Sequence, residues 1–137
     1  MSALKAITRW AFAPMAVAIA TALAASAQIA VTVPSGQPVT LLEKRVDLEN
    51  DIVRLRFVAP DLANPLARPS FEALSADLEV LCSEFGLKTL LKDAPVPAQI
   101  VVSLSAMPLE FGVTDTEIEQ VFEAFSVQHD TCMLEMF

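Results

Sequence analysis

The first 27 residues most constrain what this chain can fold into, because they read as an export segment that does not belong to the folded product. Lys5 and Arg9 charge its start, an apolar stretch runs from Trp10 to about Leu23, and Ala25-Ser26-Ala27 supplies the small-x-small pattern that signal peptidase needs. This predicts cleavage between Ala27 and Gln28, with residues 1–27 a signal peptide and residues 28–137 a single mature domain. The competing reading keeps the segment as a membrane anchor, since Ala11 to Val33 is uncharged and long enough to span a bilayer. Its alanine-rich composition and Pro14 argue for cleavage instead. Nothing after Gln28 approaches a transmembrane run, so the expected product is periplasmic and has no membrane attachment once the signal is removed.

Export changes both charge and redox setting. The chain has 9 basic and 17 acidic residues, a net of −8, and loss of Lys5 and Arg9 makes this −10. Such a surface repels phosphate backbones and anionic headgroups, which excludes nucleic acid as an expected partner and leaves a basic protein or an envelope component. Cys82 and Cys132 are the only cysteines, and two thiols in an oxidising compartment predict a disulfide. The alternative, a redox pair or metal site, lacks a C-x-x-C spacing and a ligand set.

The clearest strand is Ile52 to Val58, where Val53, Leu55 and Phe57 alternate with Arg54 and Arg56, one face buried and the other wet. Val39 to Leu48 is strand-like with imperfect alternation, which suggests a bulge, and Glu49-Asn50-Asp51 joins the two as a hairpin. Ile29 to Val33 reads as a short strand ended by the turn residues Pro34-Ser35-Gly36. Prolines between Ala59 and Pro69 predict an irregular surface connection.

Ser70 is placed to cap a helix, with Glu72 favourable to its dipole. Phe71, Leu74, Leu78, Leu81, Cys82 and Phe85 form one apolar stripe, Asp77, Glu79 and Glu84 fall outside it, and Gly86 fits the C′ position. Ile100 to Leu104 reads as a central strand, and Leu109, Phe111 and Val113 as another. Thr114 and Glu117 fit a capping box ahead of helical spacing at Ile118, Val121 and Phe122. Phe125, Val127 and Cys132 to Met136 suggest a terminal hairpin turning at His129-Asp130. The expected class is α+β: a small, mostly antiparallel sheet with one long amphipathic helix packed on one face and a C-terminal hairpin.

No constellation of catalytic residues stands out. His129, the only histidine, has no recognisable nucleophile motif to serve. Asp47, Glu49 and Asp51 start like a calcium loop, but Ile52 and Val58 occupy the required glycine and bidentate-acid positions. Glu117, Glu119 and Glu123 read as a solvated face. No residue is therefore assigned a catalytic, cofactor-binding or metal-binding role.

Val33-Pro34-Ser35-Gly36, Arg56 to Pro60, Pro97 to Leu104, Glu110-Phe111-Gly112 and Phe122 to Glu135 with Thr131-Cys132 resemble an uncharacterised family of small exported proteins of alphaproteobacteria, a domain-of-unknown-function family. The resemblance implies a periplasmic setting and no established activity. The leading expectation is a non-enzymatic periplasmic domain that binds a protein or envelope component. A small carboxylate- or metal-dependent hydrolase and a structural accessory without a ligand stay open, as does the oligomeric state.

Overall fold

The computed structural model describes residues 9–20 and 28–136. Residues 9–20 carry no regular structure, and no helix among the described residues is long and apolar enough to cross a membrane. Ala27, on one side of the expected cleavage point, lies outside the described residues; Gln28 stands just ahead of the first strand.

The fold is α+β. Six strands form one sheet in chain order: β1 (Ala30–Val31), β2 (Val39–Asp47), β3 (Ile52–Val58), β4 (Gln99–Ser105), β5 (Gln120–Gln128) and β6 (Thr131–Leu134). Four of the five pairings are antiparallel, and β3 with β4 is parallel. The parallel pair follows from the connection. After β3 the chain passes through a short 3₁₀ turn (Pro60–Ala63) and then α1 (Phe71–Val80), which continues as a π-helix over Leu81–Leu90 before β4 begins. Parallel neighbours need a crossover of this kind, since a tight turn cannot reverse the chain twice.

Alternation in β3 works as the sequence predicts on one face: Val53, Leu55 and Phe57 are buried against Ile100, Val102 and Leu104 of β4. The other face is only partly wet, because Arg56 is 8% exposed. The turn from β2 to β3 places Asp51 at φ 55, while Asp47 accepts hydrogen bonds from the Asn50 backbone and side chain. The expected irregularity in β2 is a register shift between Leu41 and Glu43.

Ser70 Oγ accepts from the Ala73 amide at 3.2 Å, the expected N-cap bond. Leu74, Leu78, Leu81 and Cys82 are buried, but Phe71, read as part of the same stripe, is 77% exposed. Gly86 does not end the helix. It lies inside the π-helical stretch, where Leu91 N donates to Gly86 O five residues back. A Cβ on Gly86 would stand 2.7 Å from Leu55 Cδ1, so its missing side chain lets the helix approach the sheet.

Two further expectations fail between β4 and β5. Leu109, Phe111 and Val113 form no strand; their segment is an irregular connection in which Arg56 Nη2 donates to Leu109 O at 2.6 Å and Gly112 takes φ 82. Thr114 and Glu117 form no capping box, and no helix follows. Asp115 Oδ1 instead accepts from Glu117 N at 3.0 Å and Asp115 O from Ile118 N at 3.3 Å, so local turn chemistry takes the place of a cap. Val121 and Phe122 enter β5, whose period-2 pattern sets Val121, Glu123 and Phe125 opposite Leu104, Val102 and Ile100. Pairing with β4 over Gln120 to Phe125, and with β6 beyond, gives that backbone its partners and buries Phe125 to 1% exposure, which outweighs a short helical spacing. β5 and β6 pair antiparallel across His129 and Asp130, both at positive φ.

Candidate functional site

The two faces of the sheet carry different chemistry. On the helix side, Cys82 and Cys132 are joined, with Cα atoms 6.1 Å apart, and both residues are buried. Cys132 N also donates to Ser83 Oγ at 3.0 Å, so β6 is tied to the helix by a covalent bond and a buried hydrogen bond one residue apart. Asp77, which falls outside the apolar stripe of the helix, is nevertheless drawn into the core. It is fully buried, and its carboxyl accepts from Ser35 N (2.9 Å), Ser35 Oγ (2.5 Å) and Gln37 Nε2 (2.8 Å). A buried carboxyl is tolerated only with such partners. The turn after β1 thereby becomes a latch on the helix, which gives Ser35 a physical task beyond turning the chain.

A groove of about 580 Å³ opens beside this locked region, between α1 and strands β5 and β6. Glu72, Ser75, Ala76 and Glu79 recur at helical spacing along one wall, and Glu123 with Met133 and Leu134 forms the other. Its apolar surface is unusually open: Phe71, Met133 and Leu134 are 77%, 48% and 45% exposed. Ser75 Oγ donates to Glu123 Oε1 at 2.5 Å and bridges the two walls. The arrangement offers carboxylates around a greasy floor, which suits a partner with apolar and cationic groups together.

The outer face gathers arginines. Arg45 and Arg54 are directly opposite on β2 and β3, and Arg56 lies two residues along, opposite Glu43. All three guanidiniums surround the Phe111 ring, with Cζ atoms 4.1, 5.5 and 5.6 Å from its centroid for Arg45, Arg54 and Arg56. Glu43 bridges Arg45 and Arg56, while Arg54 reaches Asp47 at 3.4 Å. The hydrogen bond from Arg56 holds the Glu43 carboxyl below its ordinary value of 4.5 against a smaller opposing effect of burial, and the charges of Arg56 and Arg45 add to the lowering. Asp47 lies below its ordinary 3.8 chiefly through the Asn50 side-chain and backbone bonds, with Arg54 contributing less. Arg56 is the strut of this face, because its second nitrogen holds the Leu109 carbonyl and so seats the loop that carries Phe111.

A family model described as a family of unknown function, DUF6497, matches residues 13–137. The chain belongs to the DUF6497 family. No curated protein and no solved structure matches it.

Other residues singled out in the sequence of this DUF6497 member stay apart. His129 sits in the exposed β5–β6 turn, and its backbone carbonyl accepts from Thr131 Oγ1 at 3.4 Å. Asp47 accepts from the Asn50 backbone within its own turn, whereas Asp51 Oδ2 accepts from Ala98 N at 3.0 Å and ties the β2–β3 turn to the chain entering β4. Glu119 pairs with Arg68 at 2.9 Å, and Glu123 alone of the three suspected glutamates reaches a groove. Among the described residues, no group of three or more His, Cys, Asp and Glu side chains is placed to hold a metal ion. Asp77, Ser35 and the Arg–Phe111 cluster escaped sequence reading. The one available hint was a lone Asp amid hydrophobic neighbours on a helix, with Ser and Gln spaced two apart in an upstream turn.

Proposed function

We propose that this protein is exported to the periplasm, loses residues 1–27 between Ala27 and Gln28, and acts there as a non-enzymatic domain that binds a basic protein or cationic envelope component. The observation that carries the reading is the α1–β5–β6 groove, where Glu72, Glu79 and Glu123 stand around the exposed Phe71, Met133 and Leu134. Carboxylates spaced along one helix face meet lysines or arginines of a docked segment, and the apolar floor takes the hydrophobic residues between them. The wall is rigid, since Cys82–Cys132 and the Ser83 bond fix β6 against the helix, so little ordering entropy opposes docking. The strongly acidic net charge adds long-range steering toward the same class of partner.

Affinity capture from a periplasmic extract, at low and at moderate salt, tests this. A basic partner enriched at low salt should be weakened by salt and lost with the Glu72→Gln/Glu79→Gln variant, and titration of the purified partner should reproduce that loss. No enrichment at either salt, or equal capture by the variant, overturns the proposal. Mass measurement of the exported protein checks its start at Gln28 and the absence of free thiols.

A further inference from the structure

On the face away from the helix, we infer a second binding site, specific for a monoanionic carboxylate attached to an apolar group. The strand register sets Arg56, Ser103 and Phe122 in one row across β3, β4 and β5, with Arg54 and Val101 in the next row on the same face. The Phe111 loop closes over these rows and leaves a trough of about 200 Å³. One end is cationic. Arg54 contributes a guanidinium whose one ion pair, to Asp47 at 3.4 Å, leaves most of its five donors available. The Ser103 hydroxyl lines the same trough. The remainder is apolar: Val101, Phe111, Val113 and Phe122, the last 70% exposed.

Stability does not account for this arrangement. Arg45 and Arg54 are like charges directly opposite across two strands, a pairing that disfavours the sheet, and a 70% exposed Phe122 gains little from burial. A bidentate carboxylate on Arg54 would use the donors that Asp47 leaves free, and the apolar group attached to it would cover Phe122 and Val101. Glu110 lines the rim of the same trough, so a second negative charge on the ligand meets repulsion. That geometry selects a monoanion over a phosphate dianion. The size admits one aromatic or branched side chain with its carboxylate, whether as a free acid or as the C-terminus of a peptide.

Isothermal titration of the disulfide-intact protein tests the site with 3-phenylpropanoate, its neutral amide, and a short peptide ending in phenylalanine with a free or amidated terminus. The acid or the free-terminus peptide should bind at least about tenfold more tightly than its amide. Arg54→Gln should lose at least about tenfold of that affinity, and Phe122→Ala, at an exposed position that leaves the fold intact, should lose several-fold. Preference for the peptide identifies a chain terminus as the source and preference for the free acid a small metabolite, and each supports the site. Equal binding of acid and amide, unchanged affinity in Arg54→Gln with an unchanged melting curve, or no binding of either probe overturns it. Glu79→Gln, on the other face, should leave this affinity unchanged, which separates the site from the acidic groove.

Discussion

The helix face and the outer face of the sheet use polar residues for opposite ends. On the helix face, Asp77, Ser35 and Ser83 are bonded to one another or to buried backbone, Gln37 spends its amide nitrogen on Asp77 and leaves only its Oε1 unbonded among the described residues, and the disulfide closes the same layer. On the outer face, Arg45 and Arg54 meet their acids only at 3.5 and 3.4 Å, in partly exposed surroundings. Exposed ion pairs of this kind contribute little, about 0 to 1 kcal/mol, whereas buried polar groups are costly to leave alone. The contrast teaches that a polar cluster reads as architecture where its charged group is buried and bonded on every side, as Asp77 is, and as a candidate site where charged donors stay open to solvent.

The largest expected effect falls on the helix face. Replacing both cysteines, as Cys82→Ser/Cys132→Ser, opens a loop with a sequence separation of 50 and should lower the unfolding free energy by about 4 kcal/mol, measured by urea denaturation. A loss under about 1 kcal/mol would show that Ser83 and the core hold β6 without the bond. Next, Asp77→Ala removes three hydrogen bonds and strands the Ser35 and Gln37 donors, with an expected loss of about 3 kcal/mol and faster amide exchange in β1. If instead that variant melts like the parent, the latch is not the anchor of the N-terminal strand.

The smallest expected effect belongs to the outer face and depends on pH. Glu43 and Asp47 both have folded pKa values lowered by hydrogen-bonded partners, Arg56 and Asn50 respectively. Their contribution is therefore complete above the unfolded values of 4.5 and 3.8 and is lost as pH falls through the lowered folded ones. Melting temperatures taken from about pH 5 down to about pH 3 should fall, and Glu43→Gln should flatten part of that slope. A slope identical to the parent would remove Glu43 from the acid response and leave Asp47 as the outer-face carboxylate that contributes to it.

Much of the fold was legible because short-range periodicity reports which side of an element is buried. Val53, Leu55 and Phe57 alternate because each leaves water on the same face, and the β4 run from Ile100 to Leu104 follows for the same reason. Ser70 was readable as a cap since its partner is the amide three residues on. The segment from Thr114 to Phe122 misled because its spacing suits a helix, while the unpaired edge of β4, invisible locally, demands a strand. Of the candidate sites, the acidic charge that suits the groove was visible in composition. The arginine trough was not, because Phe111 reaches Arg45, Arg54 and Arg56 only through a loop that the sequence presents as a strand.

The sequence alone determined the elements whose causes lie within a few residues: the alternating strands, the Ser70 cap, the turns at Gly36 and Asp51, and two cysteines without a metal-binding spacing. Tertiary structure decided everything that needs a partner far along the chain. It buried Asp77 by bringing Ser35 across 42 residues, carried the helix past Gly86 with Leu55 in the space a Cβ would fill, and turned β4 parallel to β3. Periodicity encodes the environment of a face, but only packing chooses which face a lone polar residue meets.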